Sequence, residues 1–252
     1  MKAFFRVIPA VALAAFLGIS NLHANLITLT GTVRDFEDTH PDFEQGIGGA
    51  ETGIVANTLG VDGKPVYAGG SGTLTTNGAA NFDQWYRNTP GVNQWTSHSI
   101  DLEDSDNDGV FTYDSNAFFP IDNQLFGNDG RIHNYHFTFE LSTTFTYQGG
   151  EEFTFRGDDD LWVFIDDSLE IDLGGVHGPL IQTVSLDTLG LTLGEEYDFD
   201  LFFAERQTTG SNFRIETSIA LVENPIPEPS TVGAMSLAGL LGFLFWKRRR
   251  KK

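Results

Sequence analysis

Hydrophobic and polar residues alternate along several short segments of the chain. In YHFTFEL, Tyr135, Phe137, Phe139 and Leu141 share one face, with His136, Thr138 and Glu140 opposite. The same two-residue period groups Phe213, Ile215, Thr217 and Ile219 in NFRIETSIAL, and Tyr197, Phe199 and Leu201 in YDFDLFF. These segments are expected to be half-buried strands. LWVFI, residues 161–165, is apolar at every position and predicts a central strand covered on both sides. No window long enough for a helix carries a 3.6-residue period, and 28 glycines with many Thr, Asn and Phe favour strands and turns. Short strands separated by Gly and Asn turns predict an all-β domain, an antiparallel β-sandwich. The Gly-, Ser- and Thr-rich stretch from Ala68 to Ala80 reads as an exposed loop.

The two ends follow a different pattern. Residues 1–24, MKAFFRVIPAVALAAFLGISNLHA, place Lys2 and Arg6 before an apolar run from Val7 to Ile19, which predicts a secretory signal peptide removed by signal peptidase. Residues 225–252 place an uncharged run, Thr231 to Trp246, before six basic residues, Lys247 to Lys252. That is a single transmembrane helix with a cytoplasmic basic flank. With Pro227, Glu228 and Pro229 directly ahead of it, this tail resembles the PEP-CTERM sorting signal. The resemblance implies recognition by an exosortase, a transient membrane anchor, and then release to the cell surface or extracellular matrix. Without it, the same residues describe a plain C-terminal anchor.

Between the ends lie residues 25–224, enough chain for one well-buried core. Eight of the 15 basic residues and one of the 35 acidic ones, Glu228, belong to the ends, so the remaining seven basic residues face 34 acidic ones and the balance is about −27. Such a surface repels nucleic acid and anionic membranes and suits cations or neutral glycans. There is no Cys, so the exported domain is held by packing alone.

The acidic residues are clustered. GDDDLWVFIDD sets Asp158, Asp159 and Asp160 immediately before the apolar strand and Asp166 and Asp167 immediately after it. A loop that runs into a central strand is fixed at one end and can aim its carboxylates at one point. Adjacent carboxylates repel unless a cation or a basic group offsets them, and Ca²⁺, which takes six to eight oxygen ligands, is the cation they suit. The plain alternative is a solvated acidic turn. DSDNDG, with Asp104, Asp106 and Asp108, has the opening spacing of an EF-hand loop, but its twelfth position is Ser115 and neither flank is helical. It is a secondary candidate for Ca²⁺, or an acidic hairpin loop.

RDFEDTHPDFE (34–44), NFDQWYRNTPGVN (81–93), FFPID (118–122), NYHFTFEL, FRGDDDLWVFIDDSLEIDLGGVHG and FFAERQTTGSNFRIET (202–217) occur in the order seen in the fibro-slime domain family, which this chain resembles. That family is similar to the protective-antigen-type lectin-like β-sandwich of yeast adhesins and glycosidase accessory domains. The resemblance implies a cis peptide between two neighbouring Asp residues holding a Ca²⁺, with the ion in turn holding sugar hydroxyls. It puts Asp158 and Asp159 on that pair. Asp160 stands where the adhesin pattern commonly has Gly, so which two of the three bind is open. Asn212, in the last matched segment, is a candidate ligand contact.

The remaining constellations carry less. His133 and His136, three apart in a strand, fall on opposite faces, which argues against a shared zinc. His177, at a strand exit, either meets the ligand or caps a turn. Trp85 and Trp95 flank NTPGVN and would stack on sugar rings if exposed, although burial is the commoner fate of Trp in so aromatic a core. Glu205 and Arg206 read as structural pairs near a strand end, or as an Arg holding the acidic cluster in place. No G-x-S-x-G elbow and no phosphate loop occurs, and clustered solvent-facing Asp residues do not hold one carboxyl neutral as a glycosidase needs. The expectation is a binding protein rather than an enzyme: a Ca²⁺-dependent, lectin-like component of an extracellular polysaccharide or biofilm matrix. The alternatives are a structural matrix protein in which Ca²⁺ only stabilises the fold, and a glycoside hydrolase.

Overall fold

The computed structural model describes residues 25–44 and 48–223. The expected signal peptide, the expected C-terminal membrane helix and the triplet Pro227, Glu228 and Pro229 lie outside the described residues. Among the described residues no helix is long and apolar enough to cross a membrane.

Twelve strands follow in chain order: β1 Asn25–Phe36, β2 Gly49–Ala50, β3 Asn93–Asp104, β4 Phe111–Ser115, β5 Phe137–Thr146, β6 Glu152–Gly157, β7 Asp160–Ile165, β8 Ser168–Leu173, β9 Gly175–Val176, β10 Leu180–Ser185, β11 Glu196–Glu205 and β12 Phe213–Thr217. The all-β expectation holds. The division into two sheets does not: ten strands form one antiparallel sheet, ordered β10-β6-β12-β4-β3-β1-β5-β11-β7-β8. β2 and β9 pair separately. The sheet curls until its edges nearly meet, and the side chain of Gln182 on β10 donates to the Glu170 carbonyl on β8 at 3.4 Å. β1 makes the sheet continuous, because it pairs with β3 over its whole length and with β5 over its second half. Gly31 lies where β1 approaches β5 most closely; a Cβ there would stand 2.3 Å from the Glu140 carbonyl oxygen.

The curled sheet has an apolar interior and a second, separate apolar cluster on its outer face. Leu161, Val163 and Ile165 of β7 point into the interior with Phe139, Phe203 and Phe213. Trp162 and Phe164 point outward into the second cluster, with Phe43, Phe82 and Trp85. LWVFI is therefore covered on both sides, as its composition predicts. The outer cover comes from residues 37–92, the long excursion between β1 and β3. That excursion also buries His136, Thr138 and Glu140, so β5 is buried on both faces where alternation alone predicts one. Arg34 and Lys64 both pair with Glu140 and help fasten the excursion down.

The stretch Ala68–Ala80 belongs to this cover and is only partly the exposed loop expected. Thr75 and Thr76 are buried. The Glu51 carboxylate accepts from the hydroxyls of Thr73 and Thr75 and from the backbone N–H groups of Leu74 and Thr75, which pins the turn against the sheet.

Candidate functional site

Three chain segments meet at one end of the curled sheet. The register sets Gly157 of β6 opposite Phe213 of β12, and Ala204 of β11 opposite Asp160 of β7. The β6–β7 turn and the β11–β12 loop are thus neighbours, and the residues after β9 close the third side. Between them is an open cleft of about 260 Å³ lined by Asp158, Asp159, Val176, His177, Gly178 and residues 207–210.

The peptide bond between Asp158 and Asp159 is cis. Both side chains sit at the cleft, and both are held by hydrogen bonds that leave oxygen lone pairs free. Asp158 Oδ1 accepts from the Asn212 backbone N–H at 2.5 Å and Oδ2 from the Asn212 amide at 2.9 Å. Asp159 Oδ1 accepts from the His177 N–H at 3.0 Å and Oδ2 from the Arg206 N–H at 3.1 Å. Each carboxylate oxygen has a second lone pair, so each remains a possible ligand. Burial, with the neighbouring charge of Asp160 and in spite of Arg206, pushes the Asp159 carboxyl up to about 8.

Asp160 has another task. It is the first residue of β7, and strand alternation turns it to the outer face. Its Oδ2 accepts from Arg206 Nε at 2.6 Å and its Oδ1 from the Gly175 N–H at 2.6 Å, with both partners of the ion pair fully buried. Of the three adjacent Asp residues, Asp158 and Asp159 face the cleft and Asp160 anchors the excursion. Arg206 Nη1 donates to the carbonyls of Thr75, at 2.6 Å, and Asp42, at 3.2 Å, and its guanidinium lies 4.7 Å from the Trp85 ring centre. The Arg thus holds the cluster in place, one of the two roles open to it from the sequence.

The other candidates fall as follows. His177 lines the cleft; its ring nitrogens face the carbonyls of Gly178 and Leu173, so it closes a turn as well. Asn212 is beside Asp158. Trp85 is in the outer core with its indole N–H on Asp42, and Trp95 is 47% exposed on β3, so the two do not form a platform and neither lines the cleft. Asp104, Asp106 and Asp108 have oxygens within 4.8 Å of one another at the β3–β4 hairpin, where Asp104 accepts from the N–H groups of Asp108 and Gly109. His133 and His136 do not share a site: His133 stacks on Phe119 and meets Asp122, while His136 is buried between Glu44 and Asp129, 3.0 Å from each.

Two residues near the cleft depart from the expectation: Glu44 is not among the expected site residues, and Glu205, expected in a structural pair, makes no ion pair among the described residues. Glu44, in the excursion, accepts from the Thr208 N–H and hydroxyl and so fixes one cleft wall. Burial raises its carboxyl, but these bonds and the one from His136 outweigh burial and leave it below the usual range. Glu205, the last residue of β11, is 1% exposed, and its Oε2 has no hydrogen-bond partner. Burial, then Asp159 and Asp158, hold its carboxyl well above the usual range. The sequence did carry a signal for Glu205. Parity in YDFDLFFAE puts it on the inward face with Leu201 and Phe203.

Residues 106–231 match the PA14 domain model and residues 225–251 match the PEP-CTERM protein-sorting motif. The chain belongs to the PA14 domain family. Among curated relatives, Protein psiD of Dictyostelium discoideum is 40% identical over 218 residues, covering 80% of this chain and 43% of psiD. Protein psiR of the same organism is 37% identical over 213 residues, covering 78% of this chain and 21% of psiR. The PA14 chain therefore spans under half the length of psiD and about a fifth of psiR. Solved structures similar to it include the PA14 sugar-binding domain from an RTX adhesin, at 12% identity, 76% and 90% coverage and a TM-score of 0.33. The PA14 domain of the MpAFP antifreeze protein is 8% identical, with 90% and 100% coverage and a TM-score of 0.35.

The donors at the cleft suit a hard cation. Asp158, Asp159 and the Asn212 amide oxygen present oxygen only, with no thiol and no imidazole nitrogen free of a partner. Of the carboxylates Asp158, Asp159, Asp160 and Glu205, Asp160 alone forms an ion pair among the described residues, with the guanidinium of Arg206.

Proposed function

We propose that this PA14 domain is a surface-displayed carbohydrate-binding protein that captures neutral glycans through a Ca²⁺ held by Asp158, Asp159 and Asn212. The observation that carries the reading is the pair of half-satisfied carboxylates, Asp158 and Asp159, at an open cleft. Bound there, Ca²⁺ supplies free coordination positions that accept hydroxyl oxygens.

The chain's own residues do the rest. Asn212 and the backbone N–H groups of His177 and Arg206 orient the two carboxylates. Thr208, clamped by Glu44, and its neighbours Gln207 and Thr209 offer polar groups at the rim for selecting among hydroxyl arrangements. The cleft is smaller than the roughly 300–1,000 Å³ of pockets that engulf drug-sized ligands, which suits the end of a glycan rather than its middle. Each capture of this kind is weak, and a surface carrying many copies gains by multivalency. The acidic surface favours neutral over anionic sugars.

Binding rather than hydrolysis is the role that fits. Asp158 and Asp159 are chain neighbours on one wall, not a pair facing each other across a scissile bond. The PEP-CTERM motif supports exosortase processing and delivery to the cell surface or the extracellular polysaccharide.

The test is a glycan array probed with the purified chain in Ca²⁺ and in chelator, beside the Asp158→Asn, Asp159→Asn double variant. Binding to a neutral glycan that chelator and the double variant both abolish is the expected result. Silence on the array with Ca²⁺-dependent stability would make the protein a structural matrix component. Release of reducing sugar would make it a hydrolase.

A further inference from the structure

The buried ring of His136 is enclosed between two carboxylates. Its Nε2 stands 3.0 Å from Glu44 Oε2 and its Nδ1 3.0 Å from Asp129 Oδ2. A neutral imidazole has one N–H and one lone pair, so it donates to one of these oxygens and turns a lone pair toward the other. The doubly protonated ring donates to both. Each carboxylate is fixed as an acceptor by further donors: Glu44 takes the N–H and hydroxyl of Thr208, and Asp129 Oδ2 takes the Asp38 N–H at 3.1 Å. The surroundings hold a surplus of acid. Asp35 of β1 is linked to His136 through Asn134, and Arg131 pairs with Asp38 and stands 3.9 Å from Glu44. A second positive charge offsets Asp35, Glu44 and Asp129 where Arg131 is already engaged.

The middle of the β11–β12 loop has little besides Glu44 to hold it. Among the described residues Thr208 bonds to Glu44 alone, and Thr209 and Gly210 make no hydrogen bond. At the start of the loop the Arg206 carbonyl accepts from the Glu44 N–H at 2.9 Å. The cleft wall formed by residues 207–210 is therefore set by Glu44, and the Glu44 carboxylate is set by the ring behind it.

We propose that His136, as an imidazolium, is a positioning residue for the cleft: it orients Glu44, which holds Thr208 and with it the wall that selects among ligands. This rests on the cleft being the binding site and extends it to a side chain that touches no ligand and lies beneath the excursion. Asp158 and Asp159 are oriented separately, by Asn212 and by the N–H groups of His177 and Arg206. The ring thus governs the wall and not the acidic pair.

The experiment is nitrogen-15 NMR of the histidine rings and amide hydrogen exchange at pH 7, on the full-length chain in detergent, for wild type and His136→Gln. Wild-type His136 should show both ring nitrogens protonated, its signals being identified by their loss in the variant. In His136→Gln, exchange of the Thr208 N–H should quicken about 10–100-fold, as expected for losing a bond to a charged group, while the amides of β7 change less. On the glycan array the variant should bind the wild-type glycans more weakly, and its Ca²⁺-dependent rise in melting temperature should match that of wild type. A ring with one protonated nitrogen in wild type overturns the proposal. So does Thr208 exchange that rises no more than that of β7, which marks general loosening, and so does loss of the Ca²⁺ rise, which puts the ring with the acidic pair. If wild type binds neither glycan nor Ca²⁺, that reading falls, and the ring and exchange measurements still decide the positioning role. Should His136→Gln fail to fold, Glu44→Gln replaces it: quickened Thr208 exchange is expected, and unchanged exchange overturns the proposal.

Discussion

Replacing Arg206 with Met tests how the outer cover is tied to the cleft. The guanidinium is fully buried and serves three segments: Asp160 of β7, Asp42 early in the excursion and Thr75 in its Gly-rich turn. Met fills similar volume but leaves the Asp160 carboxylate as an unpaired buried charge and two carbonyls short of a donor. Removing one partner of a buried pair costs about 3–5 kcal/mol, and the lost contact with Trp85 adds about 1 kcal/mol. For a domain of this size each kcal/mol lowers the melting temperature by about 2–4 °C, so a fall of roughly 8–24 °C is expected. Urea unfolding read by tryptophan fluorescence is suitable, because Trp85 and Trp162 are both buried in the outer cluster. Pairing Arg206→Met with Asp160→Leu removes both charges and should recover about half of the loss, the remainder reflecting the Gly175 N–H that Asp160 also holds. A loss under about 1 kcal/mol for the single variant, or no recovery in the double, would refute the assignment of Asp160 to Arg206.

Asp35 should titrate late. Burial pushes its carboxyl up to about 7, against the bonds from Asn134 and Phe126, so its contribution to stability is full below the ordinary carboxylate range near 4 and is lost as the pH rises through 7. Carbon-13 NMR of the side-chain carboxyl reads this directly, and a midpoint below 4 would sink the argument. At the C-terminus, Glu228→Ala in the PEP-CTERM motif should leave an unprocessed, membrane-bound form that immunoblotting resolves by size; wild-type protein of full tail length would favour a plain anchor.

What the sequence makes legible is the part governed by parity along single strands. LWVFI reads as covered on both faces because every position is apolar, and it is. The cleft pair was reachable too, since Asp158 and Asp159 sit together in the chain and no folding is needed to bring them together. Legibility ends where a second element decides. In YHFTFEL the polar face looks solvated, yet His136, Thr138 and Glu140 are buried because the excursion 37–92 supplies Glu44, Trp85 and Lys64 as their partners, with Arg34 of β1 beside Lys64 on Glu140. Nothing local to β5 encodes that cover. The three Asp residues look equivalent for the same reason. One strand position turns Asp160 outward to an Arg 46 residues away, and leaves Asp159 on the inner side beside Glu205. Whether two sheets or one form is likewise a matter of pairing, settled by β1 bonding on both edges. Charge density could be read along the chain, but its division between an anchor and a cleft depends on which face each carboxylate takes. That division is set by the pairing of β7 with β11, and it is why an acidic run of three supplies two residues to the cleft and one to the outer cover.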